Sequence, residues 1–284
     1  MKLHQPGGEI WVPDGTPPAE ALARTTHVGI GAHQDDVEIV AQRGILDCYD
    51  QPERWFTAIV VTDGAGSART GPYSDYTNDQ MRAVRRAEQK KAGTVGEYSA
   101  VALLDYTSGD VKGPAAAAIV ADLALLLAAT RPEVLYTHNL ADKHDTHVGT
   151  ALRVIEACRA LPAADRPARL LGGEVWRDLD WMCDEDKVAI DVQDRESLTA
   201  ALLGVFDSQI TGGKRYDLAT AGRHRAHATY HHAHDLDATI ALAFAMDLTP
   251  LVKDASLDPH AYGIGYVDRF RDEVSERLRR LAVR

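Results

Sequence analysis

No stretch of eighteen apolar residues occurs in this chain, so no transmembrane helix is expected. The opening residues MKLHQPGGEIWVPDGTPP lack the basic, apolar and small-residue regions of a signal peptide, which sets a cytoplasmic protein as the expectation. Cysteine is scarce. Cys48, Cys158 and Cys183 are odd in number, far apart and form no CxxC pair, which argues for buried free thiols over a disulfide framework. Basic residues are outnumbered, 31 Lys and Arg against 42 Asp and Glu, and the formal charge of -11 argues against nucleic acid or an anionic membrane as partner. The charge points to no particular substrate. There is no internal repeat and no linker rich in Pro, Gly or Ser. What remains is an ordinary globular composition, 45% apolar and 26% charged, over 284 residues. We read it as one domain, 1–284, with a core over about 26–165 and a C-terminal extension over about 166–284 that shapes the substrate pocket.

Apolar segments and helical patterns alternate through the core. THVGIGA (26–32), WFTAIVVTDGAG (55–66), SAVALLDY (99–106) and PEVLYTHN (132–139) read as strands. Helical patterns follow at 36–46, 79–96, 113–130, where Pro114 marks the start, and 146–161. The alternation predicts an α/β fold, a Rossmann-like, mostly parallel sheet with helices on both faces, and a C-terminal α/β extension packed on it. Ligands of such sheets bind beyond the carboxyl ends of the strands. His33, Asp63 and the segment from His138 to His147 should therefore meet at one edge. In the extension, 174–182 reads as a strand running into a loop, and 196–209, 217–247 in pieces and 266–282 read as helical.

The first turn, His33-Gln34-Asp35-Asp36, sets an imidazole and two adjacent carboxylates before a helix. His and Asp are suitable zinc ligands, and a catalytic site needs three protein ligands with one position open. One carboxylate can ligate while its neighbour acts on water. The alternative is that Asp35 or Asp36 simply caps the helix. The second cluster, THNLADKHDTHVGTA, holds His138, Asp142, His144, Asp145 and His147 within ten residues. His144 and His147, three apart, can face one site. A His-rich solvated loop is the alternative. Two such clusters at equivalent strand ends make a metal site the stronger reading.

AHQDDVE resembles the AHPDDE motif of the LmbE-like, or PIG-L, deacetylases, and KHDTHV resembles their HPDHV motif. VVTDGAGS followed by Arg85-x-x-Glu88 resembles the family's TDG loop and Arg-x-x-Glu helix. The likeness covers about 26–160. It implies a zinc-dependent enzyme removing acetyl groups from N-acetylglucosamine units, with a related branch that cleaves an amide in a thiol conjugate. Position by position it implies His33, Asp36 and His147 as ligands of Zn2+ or another divalent metal. It implies Asp35 as general base and His144 as the group that assists the oxyanion. Gln34 stands where the family has Pro, and Asp145-Thr146 where it has Pro-Asp. The Thr146 change removes a carboxylate that could support a ligand, and Asp142 or Asp145 can substitute. Asp142 is also the carboxylate expected to raise the pKa of His144 and favour its charged form.

Around this centre, Asp63, Arg85 and His138 are candidate substrate contacts. Each has a plainer reading: a turn Asp before Gly, an ion pair with Glu88, and a strand-end polar residue. Trp176 and Arg177 in EVWRDLDW suit a sugar platform, or else an amphipathic surface segment. Arg215 and Tyr216 are further candidates to line the pocket. The run His224, His227, His231, His232, His234 reads as a helix face and not a second metal site. The expected partner is a small N-acetylated amino sugar, with no nucleic acid and no membrane span; a homo-oligomer is compatible with the sequence. The competing functions are an amidase on a larger acyl group, a metal-dependent binding protein without turnover, and a nucleotide-binding module. GIGAHQDD lacks the third glycine of a dinucleotide fingerprint, which decides against the last.

Overall fold

The computed structural model describes residues 1–113 and 116–282; Pro114, read as a helix start, lies outside the described residues. Among the described residues eight strands form one sheet: β1 Glu9–Trp11, β2 His27–Gly31, β3 Phe56–Thr62, β4 Ala100–Tyr106, β5 Val134–His138, β6 Arg169–Gly173, β7 Lys187–Asp191 and β8 Leu242–Asp247. The order across the sheet is β1-β4-β3-β2-β5-β6-β8-β7. The five central strands are parallel, while β1, β8 and β7 add antiparallel edges. The chain runs outward from β2 through β3 to β4, then returns to lay β5 on the other side of β2. The β2–β5 seam is thus the switch point where open α/β sheets bind ligands.

β2 shows how the sequence builds this seam. Its residues His27-Val28-Gly29-Ile30-Gly31 alternate, as side chains on a strand must. Val28 and Ile30 enter the core on one face with Ile59, Leu135 and Val154, and each such burial contributes about 1.5–3 kcal/mol. Gly29 and Gly31 occupy the other face. A Cβ on Gly29 would lie 2.8 Å from both Phe56 and Val37, and one on Gly31 2.9 Å from the Asp36 Cβ. The glycines let the helix Asp36–Val40 lie directly on the strand, which carries Asp36 over the sheet edge. A second apolar cluster, including Val37, Ile45, Tyr98 and Leu202, fills this face. Helices therefore cover both faces, as expected.

The C-terminal third departs from its sequence reading. It does not only pack on the core: β6, β8 and β7 continue the same sheet. Residues 174–182, read as a strand entering a loop, lie after β6 and form no strand, and 242–247, read as helical, are β8. A short apolar run such as β8, LAFAMD, fits helix or strand by pattern alone; the pairing partners decide it. The helices Glu196–Gly204, Tyr216–Tyr230 and Pro259–Ala282 agree with the patterns. All three cysteines are buried and free. Among the described residues no helix is long and apolar enough to cross a membrane.

Candidate metal centre

β2 delivers His33, β5 ends in His138, and the following helix Asp145–Ala160 carries His147 in its first turn. Three donor atoms converge. His33 Nδ1 lies 3.2 Å from Asp36 Oδ2, His147 Nε2 lies 3.4 Å from the same oxygen, and the two ring nitrogens are 3.2 Å apart. A tetrahedral ion with bonds of about 2.0–2.1 Å places neighbouring ligands about 3.3 Å apart. The triangle has that size, and it is the one His/Cys/Asp/Glu group among the described residues able to hold a metal. Burial works to raise the Asp36 pKa, but His147 and His138 outweigh it and hold the carboxyl well below the usual range. Burial pushes His147 down to about 4, so its imidazole is neutral and its lone pair available. His33, Asp36 and His147 fit a divalent cation.

Asp35 does something different from its neighbour. Its backbone has φ 87°, a conformation that costs a non-glycine residue of order 1–3 kcal/mol and that clusters at functional sites. It stands at the N-cap of Asp36–Val40 but its side chain caps nothing, which removes the helix-cap reading. Instead Oδ2 pairs with Arg85 Nη2 at 3.1 Å. Burial raises the Asp35 pKa; Arg85 works to lower it and Asp36 to raise it further. Arg85 also reaches Glu88 at 3.3 Å and the Gln34 carbonyl. Glu88 in turn accepts from the Ser208 amide at 2.7 Å and hydroxyl at 2.8 Å. Gln89 turns its amide oxygen to the Asp35 N–H at 3.4 Å and donates to Glu38 at 2.8 Å. The helix Asn78–Val95 thus buries Arg85, Glu88 and Gln89 on the face beneath Asp35. Sequence reasoning paired Arg85 with Glu88 but missed Gln89 and Ser208; the three-and-four spacing after Arg85 was the available signal.

The expected substrate contacts divide. Arg85 touches the cavity but is nearly fully buried and committed to Asp35 and Glu88. Asp63 is buried in its turn, accepting from Arg82 at 2.8 Å and from the Ala65 amide at 3.0 Å. His138 has no exposed surface. Its Nε2 accepts the Ala32 N–H at 2.9 Å and its ring stacks on His147 at 4.0 Å, so it sets the His147 ring from behind. Trp176 lines the cavity, edge-on to Tyr216 at 5.8 Å, whereas Arg177 is exposed and does not line it. Tyr216 lines it as well, while Arg215 pairs with Asp217.

Asp142 corrects an expectation. Oδ1 accepts the His144 backbone N–H at 2.8 Å and Oδ2 the Trp176 N–H at 3.0 Å, so it staples two loops together. Its Oδ2 is 3.7 Å from His147 Nδ1, beyond a hydrogen bond. His144 does not gain the raised pKa expected of it. Burial and His33 lower it, and the opposing pull of Asp142 is the smaller effect. His144 stands at the N-cap position of the helix Asp145–Ala160 without a side-chain cap, and its ring stacks on His147 at 4.5 Å and meets His33 edge-on at 5.1 Å. In the His-rich run, His224 and His227 are buried and pushed down to about 4 by burial, with His227 stacked on Phe244.

The metal group, Asp35 and His144 open into one cavity of about 430 Å³. A larger groove of about 1150 Å³ runs along the N-terminal segment, away from all of these residues.

Residues 28–158 match the family model PIG-L: GlcNAc-PI de-N-acetylase. No curated protein matches the sequence. Among solved structures, the 4-carboxy-2-hydroxymuconate hydratase from Pseudomonas putida is 17% identical with a TM-score of 0.61, over 79% of this chain and 95% of that one. The N,N'-diacetylchitobiose deacetylase from Pyrococcus horikoshii is 15% identical with a TM-score of 0.61, over 82% and 86%. The zinc-inhibited form of teicoplanin deacetylase is 13% identical with a TM-score of 0.55, over 78% and 97%. At these identities the likeness shows the shared fold.

Proposed function

Since residues 28–158 form a PIG-L (LmbE-like) domain, we propose that this protein is a zinc-dependent hydrolase that removes the N-acetyl group of an amino sugar of the N-acetylglucosamine type. The observation that carries the proposal is the triangle of His33 with the buried Asp36 and His147, and Asp35 beside it, adjacent in sequence to Asp36 yet outside the ligand set. A divalent ion held by the three supplies Lewis acidity, polarising the amide carbonyl and acidifying water.

The chain's own groups do the rest. Arg85 holds Asp35 Oδ2, and Oδ1 has no hydrogen-bond partner among the described residues. Oδ1 takes the proton of the attacking water, a role aided by the raised pKa of this carboxyl. His144, neutral because burial lowers its pKa, donates an N–H to the oxygen on which negative charge develops. One well-placed donor of that kind contributes about 3–4 kcal/mol. Asp35 then returns its proton to the nitrogen as the C–N bond breaks, giving acetate and a free amine. Trp176 and Tyr216 form the wall against which a sugar ring packs.

The test is release of free amine from N-acetyl sugars and their glycosides, with and without a chelator. Amine release that a chelator abolishes and zinc restores is the expected result. Bound metal with no amine from any amide would favour a binding protein without turnover. Cleavage only of larger acyl or thiol-conjugate amides would move the substrate to the related branch.

A further inference from the structure

The helix Pro259–Ala282 is the longest among the described residues, and the body of the protein uses only one side of it. Tyr262 and Tyr266 turn inward, and both hydroxyls reach the Asp247 carbonyl, at 2.7 and 3.5 Å. Arg269 pairs with Asp186 at 2.6 Å, and Phe270 meets the Trp181 ring at 6.2 Å. Beyond Ser275 every described residue of the helix is exposed, so its last two turns stand clear of the body. The other side carries Ile264, Val267, Arg271, Val274, Leu278 and Leu281. Their spacing, alternately three and four, is the seam of a coiled coil, and all but Arg271 are apolar. Ile264, Val267, Leu278 and Leu281 are 45%, 43%, 64% and 73% exposed. Scattered exposed apolar residues are ordinary; a continuous ladder of them marks a contact surface.

We infer that this face pairs with the same face of a second copy of the chain, the two helices running antiparallel about a two-fold axis between residues 272 and 273. Two observations favour that partner. The first is register. A two-fold contact needs a self-complementary surface. The ladder reads the same from either end, so Ile264 lies opposite Leu281 of the second copy, Val267 opposite Leu278, and Arg271 opposite Val274. The second is charge. Asp268 and Asp272 flank the ladder in its first half, and Arg279 flanks the same side in its second half. Antiparallel pairing sets Asp268 of each copy beside Arg279 of the other. Parallel pairing would bring the basic ends, with Arg277, Arg279 and Arg280, together. Arg271, the one charged rung, is held along its own helix by Asp268 at 3.1 Å and Asp272 at 3.2 Å, so its counter-charges travel with it. A single polar rung fixes the register of such a seam at a cost in stability.

Sedimentation equilibrium of the full chain over about 1–100 µM should show a monomer–dimer equilibrium. A monomer at every concentration would overturn the inference. Leu278→Glu changes a residue on the free end, where no packing within the chain depends on it. It should weaken the dimer about tenfold or more with the circular dichroism unchanged, while Glu276→Ala, on the opposite side of the helix, should leave it as it was. A dimer that survives Leu278→Glu undiminished would lie on another face and would equally overturn the inference. Arg279→Asp should weaken association, and adding Asp268→Arg should recover part of the loss; no recovery would refute the charge pairing. Orientation is read by cross-linking, since the three native cysteines are buried. In an equimolar mixture of Ile264→Cys and Leu281→Cys proteins, the mixed disulfide should exceed its random share. A share at or below random would overturn the antiparallel arrangement. None of these readouts depends on what the metal centre does.

Discussion

Arg85 Nη2 lies 3.1 Å from Asp35 Oδ2 with the two side chains only 1% and 11% exposed. The adjacent residue Asp36 faces the other way, toward three imidazoles. One turn therefore separates two chemically identical groups into different roles. Removing one partner of a buried ion pair strands the other, at about 3–5 kcal/mol. Arg85→Met should lower unfolding stability by that order in urea titration, and Arg85→Lys should recover only part, since a single ammonium cannot serve Asp35, Glu88 and the Gln34 carbonyl together. A loss below about 1 kcal/mol for Arg85→Met would show that the pair does not hold the turn.

The division of labour between the carboxylates is open to direct measurement. Asp35→Asn should retain one metal per chain and lose turnover by about 100- to 10,000-fold, the range of general-base catalysis. His147→Ala should lose its metal on dialysis. Elemental analysis after dialysis, read beside amine release, checks both. A wild-type rate in the Asn variant would exclude Asp35 as the base, and full metal retention in the Ala variant would exclude His147 as a ligand.

Gly31 precedes the metal turn and owes its identity to the helix above it. In Gly31→Ala the new Cβ would sit 2.9 Å from the Asp36 Cβ and 3.0 Å from Val37 Cγ2. The helix must move to admit it, at about 1–3 kcal/mol of overpacking. Asp36 moves with the helix, so metal affinity should fall about 10- to 100-fold, the scale on which disturbed ligand support acts. Competition with a chromogenic chelator measures this. Unchanged affinity would mean that the close packing on β2 does not set the ligand.

Glu174 gives a pH dependence away from the metal. Burial pushes its carboxyl up to about 7 from 4.5, against the pull of the Leu179 and Phe244 N–H groups. The unfolded chain releases this proton first as pH rises, so between pH 4.5 and 7 the unfolded state binds fewer protons and stability falls. Glu174→Gln removes that slope. The stability difference, variant minus wild type, should move in the variant's favour by about 2–3 kcal/mol between pH 4.5 and 8 in parallel denaturant titrations. The opposite contribution of His224 is present in both proteins and largely cancels in the difference, whereas His227, whose Nδ1 lies 3.5 Å from Glu174 Oε2, is coupled to the substitution and is controlled by repeating the comparison in a His227→Asn background. A flat difference would show that Glu174 ionises as it does in water.

The sequence by itself determined the parallel core and pointed to the group His33, Asp36 and His147, which can hold a metal. Alternating apolar segments fix buried strands wherever both faces are covered, and the His and Asp residues crowd into two short motifs at strand ends, where topology alone makes them meet. Local chemistry carries that information, so a linear reading recovers it. The tertiary structure decided which polar residues touch the cavity and which support it. Asp63 and His138 looked like substrate contacts and are instead turned to Arg82 and the Ala32 N–H, while Arg85 touches the cavity with its guanidinium paired to Asp35. Asp142 looked like a partner for the His144 ring and instead binds the backbone of His144 and of Trp176, thirty-four residues on. Strands β7 and β8 likewise exist only through their pairing. A buried polar group must find a partner, and which partner it finds depends on contacts between distant segments that no local pattern encodes.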